Sequence, residues 1–184
     1  MLALYIALGV LGGLLLIWFI YGFNKMIRYR NAADKALSNM DVFFKKRYDL
    51  IPNMVNTVKG YMEHEKNLIT EVTEARAEAM NTKKGRKRAF AESKLGDALG
   101  NMVAVAENYP DLKASANFIE LQNTLSKMEN EIAQAREAYN DAATELNTHR
   151  ELFPDSIVSF LMGVKKYPLF KAKRRERKNV KVKF

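Results

Sequence analysis

The chain has 184 residues, with 30 Lys and Arg against 21 Asp and Glu, and no cysteine, which gives a formal net charge of +9. The missing cysteine excludes a disulfide framework, a thiolate metal site and a cysteine nucleophile. Apolar and charged residues mix at helical spacing through most of the chain, and no stretch alternates with a period of two. We therefore predict an all-α protein.

The first 24 residues carry no charged side chain. As a helix, residues 2–23 would span roughly 33 Å, about the thickness of the hydrocarbon core of a bilayer. A cleaved signal peptide would need a basic start and a small-residue cleavage site, and this segment has neither. We predict a retained transmembrane anchor over residues 1–24. The side chains assigned to it, with aromatic rings expected near the interface, are Leu2, Trp18, Phe19, Tyr21 and Phe23.

Two further features of this segment bear on topology and pairing. Lys25, Arg28 and Arg30 follow it, and basic residues beside a membrane segment stay preferentially in the cytoplasm. We therefore predict a single-pass protein with its N-terminus outside and the remainder in the cytoplasm. Gly9 and Gly13 have the G-x-x-x-G spacing that allows close approach of two membrane helices.

The next helix contains a proline. From Ala33 to Ala79 apolar residues recur every three or four positions, which predicts one long amphipathic path. Pro52 has no N–H to donate and would clash with the carbonyl of Tyr48. If Asp49 caps a restarted helix, Pro52 falls in its first turn, where the missing N–H costs little. We expect a bend or break at Tyr48, Asp49 and Pro52.

A turn is predicted at residues 81–88, which contain Gly85 and five basic residues. A second helix then carries apolar positions as far as Ala106. It must stop before the sequence NYPD at 108–111, because the proline disfavours helical geometry at the residue before it.

The third helix has the clearest pattern. Asn117, with Glu120 three residues later, resembles a capping box, and apolar positions then step by three and four as far as Phe153. Pro154 is expected to end the helix. Residues 155–164 predict a short apolar helix that covers the end of the bundle or contacts the bilayer.

The predicted fold is all-α, with a single N-terminal transmembrane helix followed by an elongated antiparallel helical bundle of the four-helix type, in which the first helix is kinked. Short connections favour this arrangement because consecutive helices then fold back on one another. The predicted domains are the anchor at 1–24, the bundle at 25–170 and a basic C-terminal tail at 171–184.

Ordered motifs in the bundle carry a family resemblance. They are RYDLIPNMVNTVKGYMEHE at 47–65, EVTEAR at 71–76, the run beginning ENYPDLKASANFIELQNTL at 107–147, and Phe153 with Pro154. Together they resemble the LemA family of bacterial membrane proteins over residues 25–170. The resemblance implies one N-terminal membrane helix, a mostly helical bundle and no established enzymatic activity. We predict a location in the bacterial inner membrane. The family also includes a protein needed for magnetosome membrane formation, which implies a role in membrane shaping.

We predict no catalytic residue, no cofactor and no metal site. His64 stands between two glutamates, but neighbours in a helix point about 100° apart and do not converge. The chain has no HExxH motif, and His64 has no glutamate three residues before it. For His149, in the apolar seam, we expect a buried hydrogen bond or a role in helix register. Arg47, Asp49 and Asn53 are interpreted as structural.

The tail departs from the family pattern and has three interpretations: it lies on anionic lipid, it binds nucleic acid through phosphates, or it is only solvated. We favour lipid, because an anchored protein keeps its tail near a membrane, and we disfavour nucleic acid. The residues assigned to topology and lipid contact are Lys25, Arg28, Arg30, Lys173, Arg174, Arg175, Arg177 and Lys178.

The leading functional hypothesis is a non-enzymatic, membrane-anchored helical scaffold that self-associates at the bilayer and organises or shapes it. Its expected partners are membrane lipids and further copies of the chain. The alternative is a membrane-tethered adaptor or signalling protein that presents the surface of the bundle to a cytoplasmic protein.

Overall fold

The structure is a computed structural model that describes residues 1–82 and 85–170, apart from the side chain of Arg86. Within this part of the chain there are six α-helices and no β-strand. The all-α prediction is therefore confirmed, as is the N-terminal apolar helix. The helices are α1 (Leu2–Lys59), α2 (Lys66–Asn81), α3 (Gly85–Ala106), α4 (Pro110–Lys113), α5 (Ala116–Glu151) and α6 (Asp155–Leu161).

Helix α1 continues through Pro52, so the predicted break and restart at Asp49 is wrong. Asp49 lies inside the helix, and its Oδ2 accepts a hydrogen bond from Lys45 Nζ at 2.8 Å. Pro52 cannot donate to the carbonyl of Tyr48, but Arg76 Nε donates to that oxygen at 2.8 Å. Because α2 supplies the missing donor, the helix does not have to end. A bend at this point stays a prediction.

The predicted path as far as Ala79 is wrong as a single helix, because α1 ends at Lys59 and α2 begins at Lys66. The N–H groups of Tyr61 and Met62 both bond to the carbonyl of Val58 at 3.0 Å, which closes the end of α1. Met62 is buried within this turn. The apolar spacing therefore continues across the turn and conceals it in the sequence.

The turn before α3 is shorter than predicted. Helix α2 ends at Asn81 and α3 begins at Gly85, whose φ of +77° is the left-handed geometry that glycine adopts without penalty. Lys83 and Lys84, which belong to the predicted turn, lie outside the described residues. Helices α2 and α3 pack against each other. Helix α3 ends at Ala106, before NYPD, as predicted.

Helix α5 confirms most of the predicted seam. Pro154 lies beyond its end, as expected. Its start differs, because the N–H of Ile119 bonds to the carbonyl of Ser115 at 3.1 Å, so Asn117 lies inside the first turn and does not cap it. Phe153 is 81% exposed and is not part of the seam. The seam positions that are buried are Phe118, Leu125, Met128, Ile132, Ala135, Tyr139 and Leu146.

The described residues form two compact units. Unit 1 contains residues 1–39 and 137–168, and its core is Met26, Ala33 and Leu146, against which Tyr29, Ala142, Met162, Val164 and Tyr167 pack. Unit 2 contains residues 40–136 with Leu169 and Phe170. Its buried apolar residues include Phe44, Ile51, Met54, Val58, Met62, Val72, Leu95, Leu99, Met102 and Ile132.

Candidate functional site

The first part of α1 is an apolar helix that the described residues leave largely exposed. Its most apolar 18-residue window has a mean hydropathy of 2.4, and no residue of that window is buried. In the described part of the chain this is the one helix long and apolar enough to cross a membrane. Leu2, Tyr21 and Phe23 are exposed, whereas Trp18 and Phe19 are half-buried.

The glycines of this segment face open space. A Cβ built on Gly9 or Gly13 meets no atom of the described residues within 4 Å. The two glycines lie four residues apart, hence on one side of the helix. That side is open to a second helix, as the G-x-x-x-G spacing requires.

Helix α6 packs against the end of the apolar segment. A Cβ built on Gly22 would stand 3.0 Å from Val158 Cγ2, which is closer than side chains normally approach. Gly22 and Val158 are both buried. The absence of a side chain at Gly22 therefore allows α6 to lie directly against α1 where the apolar segment ends.

A polar cluster follows one turn further along α1. Lys25 Nζ donates to Asp155 Oδ2 at 2.8 Å, and the Nδ1 of His149 lies 2.7 Å from the same oxygen. The ring of Tyr29 stacks on the imidazole of His149, with centroids 4.3 Å apart. Burial alone would raise the pKa of Asp155, but the hydrogen bonds from Lys25 and His149 outweigh it and hold the pKa below its ordinary value. The cluster fixes the first residue of α6 to α1 and α5.

The chain after α6, which we call the return segment (residues 163–168), is bound to α5. Asn147 donates to the carbonyl of Tyr167 and accepts from its N–H, both at 2.9 Å. The carbonyl of Val164 accepts from Arg150 Nε at 3.0 Å, and that of Pro168 accepts from the Tyr139 hydroxyl at 2.8 Å. Burial raises the pKa of Tyr139 to about 12, so the hydroxyl remains a donor well above neutral pH.

The predicted topology and lipid residues fall into three situations. Arg28 and Arg30 are exposed on α1. Lys25 pairs with Asp155, which the sequence did not show because the two residues are 130 positions apart. The predicted tail contacts Lys173, Arg174, Arg175, Arg177 and Lys178 lie outside the described residues.

Unit 2 contains a second charge cluster, built around a fully buried ion pair. The side chains of Arg47 and Glu92 are both 0% exposed and form an ion pair through Nη2 and Oε2. Arg47 Nη1 donates to Glu129 Oε1 at 2.7 Å, and the Tyr48 hydroxyl donates to Glu92 Oε1. Burial, followed by the hydrogen bond to Glu92, raises the pKa of Tyr48. Arg47 is thus bonded within the interior of unit 2, and its purely structural role stays an interpretation.

An aromatic ring lies among the cations of this cluster. The guanidinium carbons of Arg47, Arg88 and Arg136 lie 5.5, 5.1 and 5.8 Å from the centroid of the Phe44 ring. Such contacts stabilise a desolvated cation. Arg88 Nη2 also pairs with Asp41 Oδ1 at 2.8 Å. The buried cations thus have aromatic and acidic neighbours, as burial of charge requires.

His64 lies in the turn between α1 and α2, not in a helix, so the helical argument about its neighbours does not apply. It is exposed, and it borders a surface depression lined by Lys59, Glu63, His64, Lys66, Ile69 and Thr70. Among the described residues no group of three His, Cys, Asp or Glu side chains is placed to hold a metal ion. His149 Nδ1 lies 2.7 Å from Asp155 Oδ2, but the side chain is 21% exposed, so this bond is part-buried and not the fully buried one expected.

The structure defines the class: an all-α protein whose first helix is long and apolar enough to cross a membrane. The model of the LemA family matches residues 36–184. The chain belongs to the LemA family.

Three named relatives show how far the similarity extends. The chain is 24% identical over 177 residues to "Magnetosome protein MamQ 2" of Paramagnetospirillum magneticum, an alignment that covers 82% of this chain and 65% of the relative. It is 22% identical to "Magnetosome protein MamQ" of Magnetospirillum gryphiswaldense over the same shares. It is 25% identical to "Protein LemA" of Metamycoplasma hominis over 85% of this chain and 72% of that protein. The chain thus spans less than two thirds of the MamQ relatives.

Proposed function

We propose that the protein is a non-enzymatic, membrane-anchored helical scaffold that self-associates at the bilayer and organises or shapes it. The observation that carries this proposal is the uncovered apolar segment of α1. Apolar surface gains about 25 cal/mol for each Å² removed from water. Residues 2–17 are exposed on every side of the helix, so their apolar surface gains this free energy when the helix enters a bilayer. The hydrocarbon core of a bilayer matches the length of the apolar segment.

Self-association is supported by the open glycine side of the segment. Lipid tails are as apolar as the side chains of a membrane helix, so the hydrophobic effect does not drive two such helices together. They associate instead through close packing, which small residues allow by letting the backbones approach. Gly9 and Gly13 offer such an approach. That two relatives are named magnetosome proteins supports the membrane-shaping part of the proposal.

The proposed location is the bacterial inner membrane, with the N-terminus outside and the units that follow in the cytoplasm. Arg28 and Arg30, exposed just beyond the apolar segment, support this orientation. Protease added to inverted membrane vesicles should digest unit 2, whereas right-side-out vesicles should protect it. Protection in inverted vesicles would reverse the proposed orientation.

Self-association is tested by energy transfer between donor- and acceptor-labelled full-length chains in the same lipid vesicles. The native chain should show transfer above that of randomly dispersed labels at the same protein-to-lipid ratio. Gly9→Leu with Gly13→Leu should lower it, because the larger side chains keep the helices apart.

Ala7→Leu is the matched control. It enlarges a small, exposed residue on the opposite side of the same helix, so transfer should be unchanged. Native protein that shows only random transfer contradicts the self-association proposal. Equal loss in the control and the glycine variant contradicts the assignment of the pairing side.

A further inference from the structure

Helix α6 presents an apolar surface that the rest of unit 1 leaves uncovered. Val158 and Ser159 face inward, and the Ser159 hydroxyl donates to the carbonyl of Arg150 at 3.0 Å. Phe160 is 84% exposed and Leu161 is 64% exposed. The exposed apolar residues, which we call the α6 patch, are Leu152, Phe153, Ile157, Phe160 and Leu161.

These side chains form a surface, not scattered exposures. Ile157, Phe160 and Leu161 are separated by three and four residues, which places them on one side of the helix. Leu152 and Phe153 precede that helix directly. Several large apolar side chains exposed together mark an interaction site in a soluble domain.

The position of α6 determines what covers the patch. Val158 packs on Gly22, which lies at the end of the segment predicted to cross the bilayer, beside the aromatic residues expected at the interface. Lys25, one turn further on, pairs with Asp155, the first residue of α6. Both contacts fix α6 to α1 at the end of the segment predicted to cross the bilayer, so the patch would lie close to the level of the lipid interface.

We propose that α6 is an interfacial membrane element: its patch lies among the upper acyl chains, and the basic side chains beside it contact lipid phosphates. Short apolar helices held at the interface bind in this manner when cations accompany them. Lys165 and Lys166, in the return segment, are exposed, and Lys166 Nζ also pairs with Glu151 Oε1 at 3.0 Å. The inference rests on the proposed anchoring of α1 and adds a second lipid contact to it.

The absence of cysteine from the chain allows a direct test. Single-cysteine variants of the full-length protein are labelled with an environment-sensitive fluorophore and placed in phosphatidylcholine–phosphatidylglycerol vesicles. Two sets of vesicles contain lipids with a nitroxide quencher, one on the upper part of the acyl chain, for the patch labels, and one near the end of the acyl chain, for the label at 15. Leu161→Cys and Ile157→Cys report the patch, and Leu15→Cys reports the apolar segment.

Thr144→Cys is the matched control, since Thr144 is exposed on α5 in the same unit, more than one turn from His149 and the cluster. Circular dichroism confirms that each variant retains its helix content. The labels at 157 and 161 should emit at shorter wavelength than the label at 144 and lose emission with quencher lipid, as the label at 15 does. The label at 144 should remain unquenched.

Three results would overturn the inference, and they can be told apart. If the label at 15 is quenched but those at 157 and 161 behave like 144, α6 does not contact lipid while the anchor stands. If the label at 15 is also unquenched, the anchoring itself is wrong. If the patch labels shift in wavelength without quenching, in proportion to protein density, a second copy of the chain covers the patch.

Discussion

Each unit ties a cation of α1 to a carboxylate on another helix, and the two units differ in how far they bury the pair. In unit 2, Arg47 and Glu92 are both 0% exposed. In unit 1, Lys25 and Asp155 are 26% and 15% exposed. A fully buried charge cannot be left alone, whereas one that water still reaches can lose its partner at modest cost. The first pair should therefore determine whether unit 2 folds, and the second should adjust how firmly α6 is held.

The choice of cation follows from this difference. Arginine presents a planar fork that bonds two carboxylates together, and Arg47 reaches both Glu92 and Glu129. Lysine is a compact, strongly hydrated charge, which suits the partly wet position of Lys25. Asp155 has a second hydrogen-bond partner in His149, and the ring of Tyr29 stacks on the imidazole of that histidine.

The largest expected effect is the loss of the buried carboxylate. Glu92→Ala leaves Arg47 and the Tyr48 hydroxyl without it, so the free energy of unfolding should fall by about 3–5 kcal/mol. Denaturant unfolding in detergent micelles, followed by circular dichroism, measures the change. Glu78→Ala, which breaks the exposed pair with Lys94, should have little effect. Equal losses in the two variants would show that burial does not set the importance of these pairs.

The next effect concerns a neutral group in the same unit, the carbonyl of Tyr48. Arg76→Ala should cost about 1–3 kcal/mol, because a buried acceptor then lacks its donor. In a Pro52→Ala background the N–H at position 52 can reach that carbonyl, so the same change should cost less. A double-mutant cycle of unfolding free energies measures the coupling. Zero coupling would contradict the account of why α1 continues through the proline.

In unit 1 the expected effect depends on pH. The pKa of Asp155 is lower folded than its ordinary value of 3.8, so its stabilisation is present above that value and lost as pH falls through the folded pKa. Asp155→Asn should weaken the docking of α6 by about 1.5 kcal/mol at neutral pH, a charge-assisted hydrogen bond being worth this much.

Hydrogen exchange of the α6 amides, as a function of pH, measures this effect. The curves of native protein and variant should converge below the folded pKa of Asp155. Curves that stay parallel down to acid pH would mean that the carboxylate charge does not hold α6.

The smallest expected effect is the change in the free energy of unfolding when a helical glycine, in α3 or in α1, is replaced by alanine. Gly100→Ala should raise the free energy of unfolding by about 0.5–1 kcal/mol, because a Cβ there meets no described atom and alanine favours the helix. Gly22→Ala should gain less or lose, since its Cβ would stand 3.0 Å from Val158 Cγ2. Thermal unfolding of both variants provides the comparison. Equal gains would mean that α6 yields easily at this contact.

Helical periodicity predicts what local apolar spacing determines. It predicted the all-α class and the buried seam of α5 as far as Leu146, whereas Pro110 predicted the end of α3 before NYPD. It failed at residues 60–65, because Met62 is buried in the turn and keeps the apolar phase. A turn without a change in that phase leaves no periodic signal.

The polar contacts escaped prediction for another reason: their partners are distant in sequence. Arg76, 28 residues after Tyr48, supplies the donor that Pro52 lacks. Glu92 lies 45 residues after Arg47. In the sequence Arg47 stands between Lys46 and Tyr48, and this polar stretch is typical of a solvated helix face. Only the packing of α1 against α2 and α3 converts these side chains into interior groups.

The return segment is held chiefly through its main chain, as its four bonds to Arg150, Asn147 and Tyr139 show, two of them with Asn147. Replacing the exposed Pro168 side chain would leave the accepting carbonyl in place. Alanine scanning should therefore find the donors on α5 sensitive and position 168 silent. Tolerance of substitution at position 168 would then mean that the segment is bound through a carbonyl that every residue type has. It would not mean that the segment is unbound.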